Sequence, residues 1–149
     1  TMSGSNINFS SGIVNGSECE LNTSNGFVGN GCNGFASVSN GLNFTNNGNE
    51  YINLSIVGNE TAAEFLGGDS PTFKINPNAI QAGVCAGGNF ALDNWTDLTT
   101  TAAVLCNNSN KLSPSTNNDT LEIDVYLSIP SSSNESGSIK IKLIGICPA

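Results

Sequence analysis

Polar and apolar residues alternate with period two along much of this chain. The clearest case is Leu121 to Ile129 (LEIDVYLSI), where every odd position is apolar and every even one polar or amphipathic. That spacing puts successive side chains on opposite faces of a strand, one buried and one wet. Glu50 to Val57 (EYINLSIV) sets Ile52, Leu54 and Ile56 against Tyr51, Asn53 and Ser55 in the same way. Asn6 to Val14 (NINFSSGIV) holds Ile7, Phe9 and Ile13 in one phase. Thr72 to Ile75 and Ala102 to Cys106 read as short strands, and Ala36 to Phe44 as a strand split by an Asn40-Gly41 turn signal. No segment keeps a 3.6-residue period for three turns, and Ala62 to Leu66 is one helical turn at most. The pattern predicts an all-β fold: an immunoglobulin-like antiparallel β-sandwich, with residues 1–149 as a single domain.

The end of the chain predicts a hairpin. Ser138 to Cys147 (SIKIKLIGIC) follows Leu121 to Ile129 across a linker of turn-forming residues, Pro130 to Gly137. Antiparallel pairing would place Glu122 and Asp124 on the wet face beside Lys140 and Lys142. Such pairs are worth about 0.2–1 kcal/mol, enough to set register rather than stability. Past Lys142 the alternation fails, because Leu143, Ile144 and Ile146 are apolar in both phases. Either that end is covered on both sides by its own chain, or Ile144 and Ile146 meet another subunit.

Composition narrows the setting. Charged residues are 11% of the chain, against about 25% in ordinary globular domains. Polarity comes from 24 Asn and from Ser, Thr and Gly. The net charge is −8, the only cations are Lys74, Lys111, Lys140 and Lys142, and there is no Arg or His. Four scattered lysines make no phosphate-binding patch, which argues against nucleic acid as a partner. Lack of His removes the commonest general base, the triads built on it and most zinc sites. No run of about 20 apolar residues is present to span a membrane as a helix. The first residues read as those of a mature, processed chain.

Two features argue separately for secretion. Asn-X-Ser/Thr sequons begin at Asn8, Asn15, Asn22, Asn43, Asn53, Asn59, Asn94, Asn107, Asn118 and Asn134. This composition would yield about five by chance. N-linked glycans are therefore expected partners, with Asn53 and Asn94 the poorest candidates because they are expected to be partly buried. The cysteines are Cys19, Cys32, Cys85, Cys106 and Cys147, with no CxxC spacing, which favours disulfides over metal. Local closure favours Cys19–Cys32 and Cys85–Cys106, since each pair brackets a loop. Cys147 is then left either as a small buried hydrophobe or as a link to another chain.

Catalytic and metal chemistry find little support. Asp69, Asp93 and Asp97 lack the spacing of a calcium loop. Glu18 and Glu20 flank Cys19, but paired glycosidase carboxylates need a cleft and aromatic platforms, and the chain has one Trp and two Tyr. A Lys–Asn isopeptide cross-link at Lys74 or Lys140 would need a buried acid beside it. No cofactor, no metal and no enzymatic activity are expected.

Two stretches carry a resemblance. GLNFTNNGNEYINLSIVGNETAAEFLGG (Gly41–Gly68) and the closing DTLEIDVYLSIP…ESGSIKIKLIGI resemble segments of archaeal exported surface-filament proteins. The second is also similar to hairpins in archaeal pilin heads and in bacterial biofilm-matrix fibre subunits. The resemblance implies an extracellular cell-surface filament subunit with a sandwich fold, a homopolymer with itself as partner. The chain shows no long apolar helix of the kind that builds type IV pili. Assembly by strand donation is the corresponding expectation, with residues 1–14 as an N-terminal extension and Ile7, Phe9, Ile13 and Val14 as the donor strand. The same segment pairing within its own sandwich is the competing reading. A non-polymerising surface adhesin, a carbohydrate-binding module and an S-layer or virion coat component are the alternatives in function.

Overall fold

One long strand, Thr120–Ile129, organises the molecule. The computed structural model describes residues 2–3, 6–78, 84–85, 94–107, 112–114, 117–133 and 141–146, with Met2, Ser3 and 141–143 described by backbone alone. In chain order the strands are β1 (Met2–Ser3), β2 (Ile13–Val14), β3 (Cys19–Asn22), β4 (Phe27–Val28), β5 (Cys32–Asn33), β6 (Leu42–Thr45) and β7 (Asn53–Gly58). After helix α1 (Ala62–Leu66) come β8 (Thr72–Asn78), β9 (Thr96–Asp97), β10 (Ala103–Cys106), β11 (Thr120–Ile129) and β12 (Ile141–Ile146). All the ladders are antiparallel.

The large sheet is built on both edges of β11. One edge pairs with β8 from Glu122↔Asn78 to Ser128↔Thr72. The other edge is shared: β6 covers Thr120 to Ile123 and β3 covers Tyr126 to Ile129. Beyond these, β1 adds to β6, β4 to β3 and β9 to β8. The small sheet has the order β10-β7-β12, and β2 and β5 form a separate ribbon. The odd residues of β11 from Leu121 to Leu127 are buried, together with Leu21, Phe73 and Ile75 of the same sheet and Leu54, Ile56 and Leu105 of the other. They form one core between the sheets. The chain is thus a disulfide-stapled all-β sandwich, with Cys19 bonded to Cys32 and Cys85 to Cys106.

The gap between β3 and β6 is closed by a single residue. Thr23 donates its backbone N–H to Val125 O (3.0 Å), and its hydroxyl accepts the Val125 N–H (2.8 Å). One threonine thereby pairs both main-chain groups that would otherwise be left bare in the interior. On the far side of the gap Gly41 lies against the Ile123 carbonyl, where a Cβ would sit 2.5 Å from the oxygen. The Asn40-Gly41 turn signal marks this close approach to the central strand.

Several expectations change. The hairpin of Leu121 to Ile129 with Ser138 to Cys147 does not form: β12 pairs with β7, from Ile141↔Gly58 to Ile146↔Asn53. Both edges of β11 are already occupied, so the last strand crosses to the other sheet. Asp124 is not on a wet face but is 2% exposed. The strand at Thr72 extends to Asn78 through Pro77. Among the described residues β9 opposes only Lys74 and Ile75, so Pro77 has no ladder on its outer edge to interrupt. The one-turn helix occurs where expected, closed by a capping box in which Glu64 N donates to Thr61 Oγ1 and Thr61 N donates to Glu64 Oε2.

Candidate assembly and glycan-bearing surfaces

The N-terminal segment lies along its own sandwich. Met2 and Ser3 pair with Phe44 and Asn43 on the edge of β6. Only Ile13 and Val14 of the expected strand Asn6 to Val14 are in a ladder, opposite Asn33 and Cys32. Ser10 has a left-handed backbone (φ 62°), and its N–H is held by Asn8 Oδ1 at 2.8 Å. This kink shifts the phase. Ile7, Phe9 and Val14 are half-buried against the core, while Ile13 is 70% exposed. Two more main-chain bonds tie the segment down, Ala36 N to Phe9 O (2.7 Å) and Asn15 N to Gly31 O (2.9 Å).

The outer face of the large sheet carries a cross-strand row. Residues directly opposite in a ladder share a face. Phe27 opposes Asn22, Asn22 opposes Tyr126, Tyr126 opposes Lys74, and Lys74 opposes Asp97. The row therefore crosses β4, β3, β11, β8 and β9. The Trp95 ring meets Tyr126 on this face, with centroids 5.8 Å apart and planes tilted by 57°. The Tyr126 hydroxyl donates to Glu20 Oε1, which fixes the ring. Burial, followed by this bond and the charge of Glu20, pushes the phenol well above its ordinary range. Phe27 remains 45% exposed.

Beside this row sits a buried polar network. Thr23 Oγ1 donates to Asp124 Oδ1 at 2.7 Å, and Asn78 Nδ2 donates to Asp124 Oδ2. Burial raises the Asp124 pKa; the Thr23 bond opposes that, the charge of Glu122 adds to it, and the Asn78 bond opposes it. Asn76, opposite Asp124, is buried with its Oδ1 unpartnered. None of this network was among the expected site residues. No local signal marks it, because Asp124 occupies the polar phase of the alternation as Glu122 does, and its burial depends on neighbours distant in sequence.

The sequons divide by position. Asn8, Asn15, Asn59 and Asn94 are exposed, so the expectation of burial at Asn94 is corrected: it precedes β9 and faces solvent. Asn22, Asn43, Asn53, Asn107 and Asn118 are half-buried. Asn53 lies on β7, the central strand of the small sheet, as its predicted partial burial required. Asn43 lies between Ser3 and Glu122 with its Oδ1 enclosed and unpartnered. Asn22 differs, because its Oδ1 accepts the Ser24 N–H at 2.8 Å at the tip of the β3–β4 hairpin. Asn134, Asp93, Lys111, Lys140 and Cys147 lie outside the described residues.

On β12, Ile144 is half-buried and Ile146 is 59% exposed. Among the described residues this strand is paired on one edge only. Lys74 stands opposite Tyr126 and Asp97. Among the described residues no group of three or more Asp, Glu, Cys or His is placed to hold a metal, and no helix is long and apolar enough to cross a membrane. No family model, no curated protein and no solved structure matches this chain.

Proposed function

We propose that this chain is a non-catalytic structural subunit of an extracellular cell-surface filament, N-glycosylated and joined to its neighbours through its N-terminal segment. The observation that carries the reading is how that segment is held. It adds to the open edge of β6 through two residue pairs at Met2 and Ser3, and it lays Ile7, Phe9 and Val14 on the core. Contacts of this kind, made within one chain, are equally available between chains when an identical element is exchanged. The polymer would form by β-strand addition, main-chain bonds giving affinity and alternate apolar side chains giving register. Two disulfides fit an oxidising compartment, and four exposed sequons fit glycans that point to solvent.

Negative-stain microscopy of the native material tests this reading. Long thin fibres that disappear when residues 1–14 are deleted are expected. Isolated globules after mild extraction would sink it in favour of a non-polymerising surface module or adhesin. Mass spectrometry of the native chain tests the glycans separately, and an unmodified mass would remove them.

A further inference from the structure

We propose that Asn22 carries an N-linked glycan whose first sugars lie on the sheet face between Phe27 and the Tyr126–Trp95 pair, as a structural part of the fold. This rests on the glycosylation reading above and singles out one site from ten. In the cross-strand row Asn22 has Phe27 directly on one side and Tyr126 directly on the other. Neighbouring strands are about 4.8 Å apart, so the two rings flank any group attached to Asn22. The Asn22 carboxamide oxygen accepts the Ser24 N–H at 2.8 Å, so Nδ2 is the carboxamide atom that carries the attachment. Asn22-Thr23-Ser24 is a sequon, and Thr23 is fixed in the interior by Asp124 and Val125, so the hairpin tip is rigidly placed.

The linkage forms by attack of the Asn22 amide nitrogen on C1 of a sugar carried by a lipid-linked phosphate. The C1–N bond forms, the C1–O bond to phosphate breaks, and the amide proton leaves with the released phosphate. The apolar C–H face of a pyranose suits an aromatic face, both by excluding water and by meeting its negative π surface. This accounts for an otherwise unexplained feature: Phe27 is a large aromatic on a sheet face that is left 45% exposed by the chain itself. It also adds a second neighbour to the half-buried Trp95 ring, which already meets Tyr126. Asn59, exposed and bonded through Nδ2 to Glu60 Oε1 at 3.2 Å, has no such row and serves as a control.

The test uses the full chain from a glycosylating host. Site occupancy is read by mass spectrometry, and Tm is measured for the wild type, Asn22→Gln, Asn59→Gln, Phe27→Ala and Phe27→Ala with Asn22→Gln. Asn22 is expected to be occupied. Asn22→Gln should lower Tm by about 3 °C, the size that one ring-stacking contact gives in a domain of this length. Asn59→Gln should leave Tm unchanged. Phe27→Ala should lower Tm in the glycosylated chain and do little once Asn22 is Gln. Trp95, the only Trp, should emit further to the red in Asn22→Gln. Occupied Asn22 with additive Phe27 and Asn22 effects overturns the docking and leaves the glycosylation reading intact. An empty Asn22 beside occupied sequons also overturns it, and ten empty sequons overturn both. Quenching of Trp95 in the unglycosylated chain by added chitobiose would make the face a site for free saccharide instead.

Discussion

Replacing Thr23 by Val removes one oxygen and little else. Valine has nearly the same shape, so no cavity opens and the backbone bond from Thr23 N to Val125 O (3.0 Å) can persist. What is lost is the acceptor for the Val125 N–H (2.8 Å) and the donor to Asp124 (2.7 Å). Thr23 is fully buried, so water cannot replace either partner. An orphaned buried donor costs about 1–3 kcal/mol, and a bond to a charged group is worth about 1.5–3 kcal/mol. The two share one oxygen and Asp124 can respond by taking up a proton, so the expected loss is about 3–4 kcal/mol. In a domain of this length that lowers Tm by about 10 °C.

The loss should also depend on pH. The Asp124 pKa is raised in the fold, so the native state holds this proton more tightly than the unfolded chain. Its contribution is fully present below the ordinary carboxylate range and is lost as pH rises through the folded pKa. Thr23 opposes the rise, so removing it raises the pKa further. The Thr23→Val deficit should then be greater at pH 7 than at pH 4, by about 1 kcal/mol, the difference between a charged and a neutral bond. Urea titration at both values measures it, as a fall in midpoint at constant slope. An unchanged midpoint, or a larger deficit at pH 4, would refute the reasoning.

Further outcomes follow from the same contacts. Asp124→Asn keeps an acceptor for Thr23 and removes the buried charge; stability at pH 7 should be equal or higher, and its decline between pH 4 and pH 7 should flatten in urea titrations. Removing Cys19–Cys32 by paired Ala substitution reopens a separation of 13 residues, and Cys85–Cys106 one of 21. The chain-entropy model gives about 3 kcal/mol for each. The two loops do not overlap, so calorimetry of the single and double removals should show additive losses. Gly41→Ala would press a Cβ to 2.5 Å from Ile123 O and 2.8 Å from Ile123 C, both backbone. The central strand must shift, and a loss of about 1–3 kcal/mol in urea titration is expected.

Much of the fold was legible in residue order, and the misses have a common form. The alternation in LEIDVYLSI correctly sorted Leu121, Ile123, Val125 and Leu127 to the core. The single helical turn at Ala62 to Leu66 was anticipated, while its Thr61–Glu64 capping box emerged only with the structure. Both disulfides followed from local closure. The pairing of β12 was not visible, because a strand is compatible with any free edge and the two edges of β11 were claimed by segments far away in sequence. The phase of the N-terminal strand was misread because a left-handed Ser10 resets it, so Val14 faces inward and Ile13 outward.

The candidate surfaces divide along the same line. Sequons are local three-residue patterns and were fully readable, but whether each asparagine faces solvent depends on what stands opposite it. Asn94 proved exposed, Asn43 enclosed, and Asn22 placed between two aromatic rings. By itself the sequence determined fold class, which faces of the long strands are apolar and which asparagines begin sequons, and it favoured the observed disulfide partners. Each of these depends on backbone periodicity or on short loop closure, which operate over a few residues. Only the tertiary structure decided strand partners, the burial of Asp124 and the row from Phe27 to Asp97. Those depend on competition for sheet edges and on what covers a polar side chain, and both are settled between segments far apart in the chain, as Thr23 and Asp124 show at a separation of 101 residues.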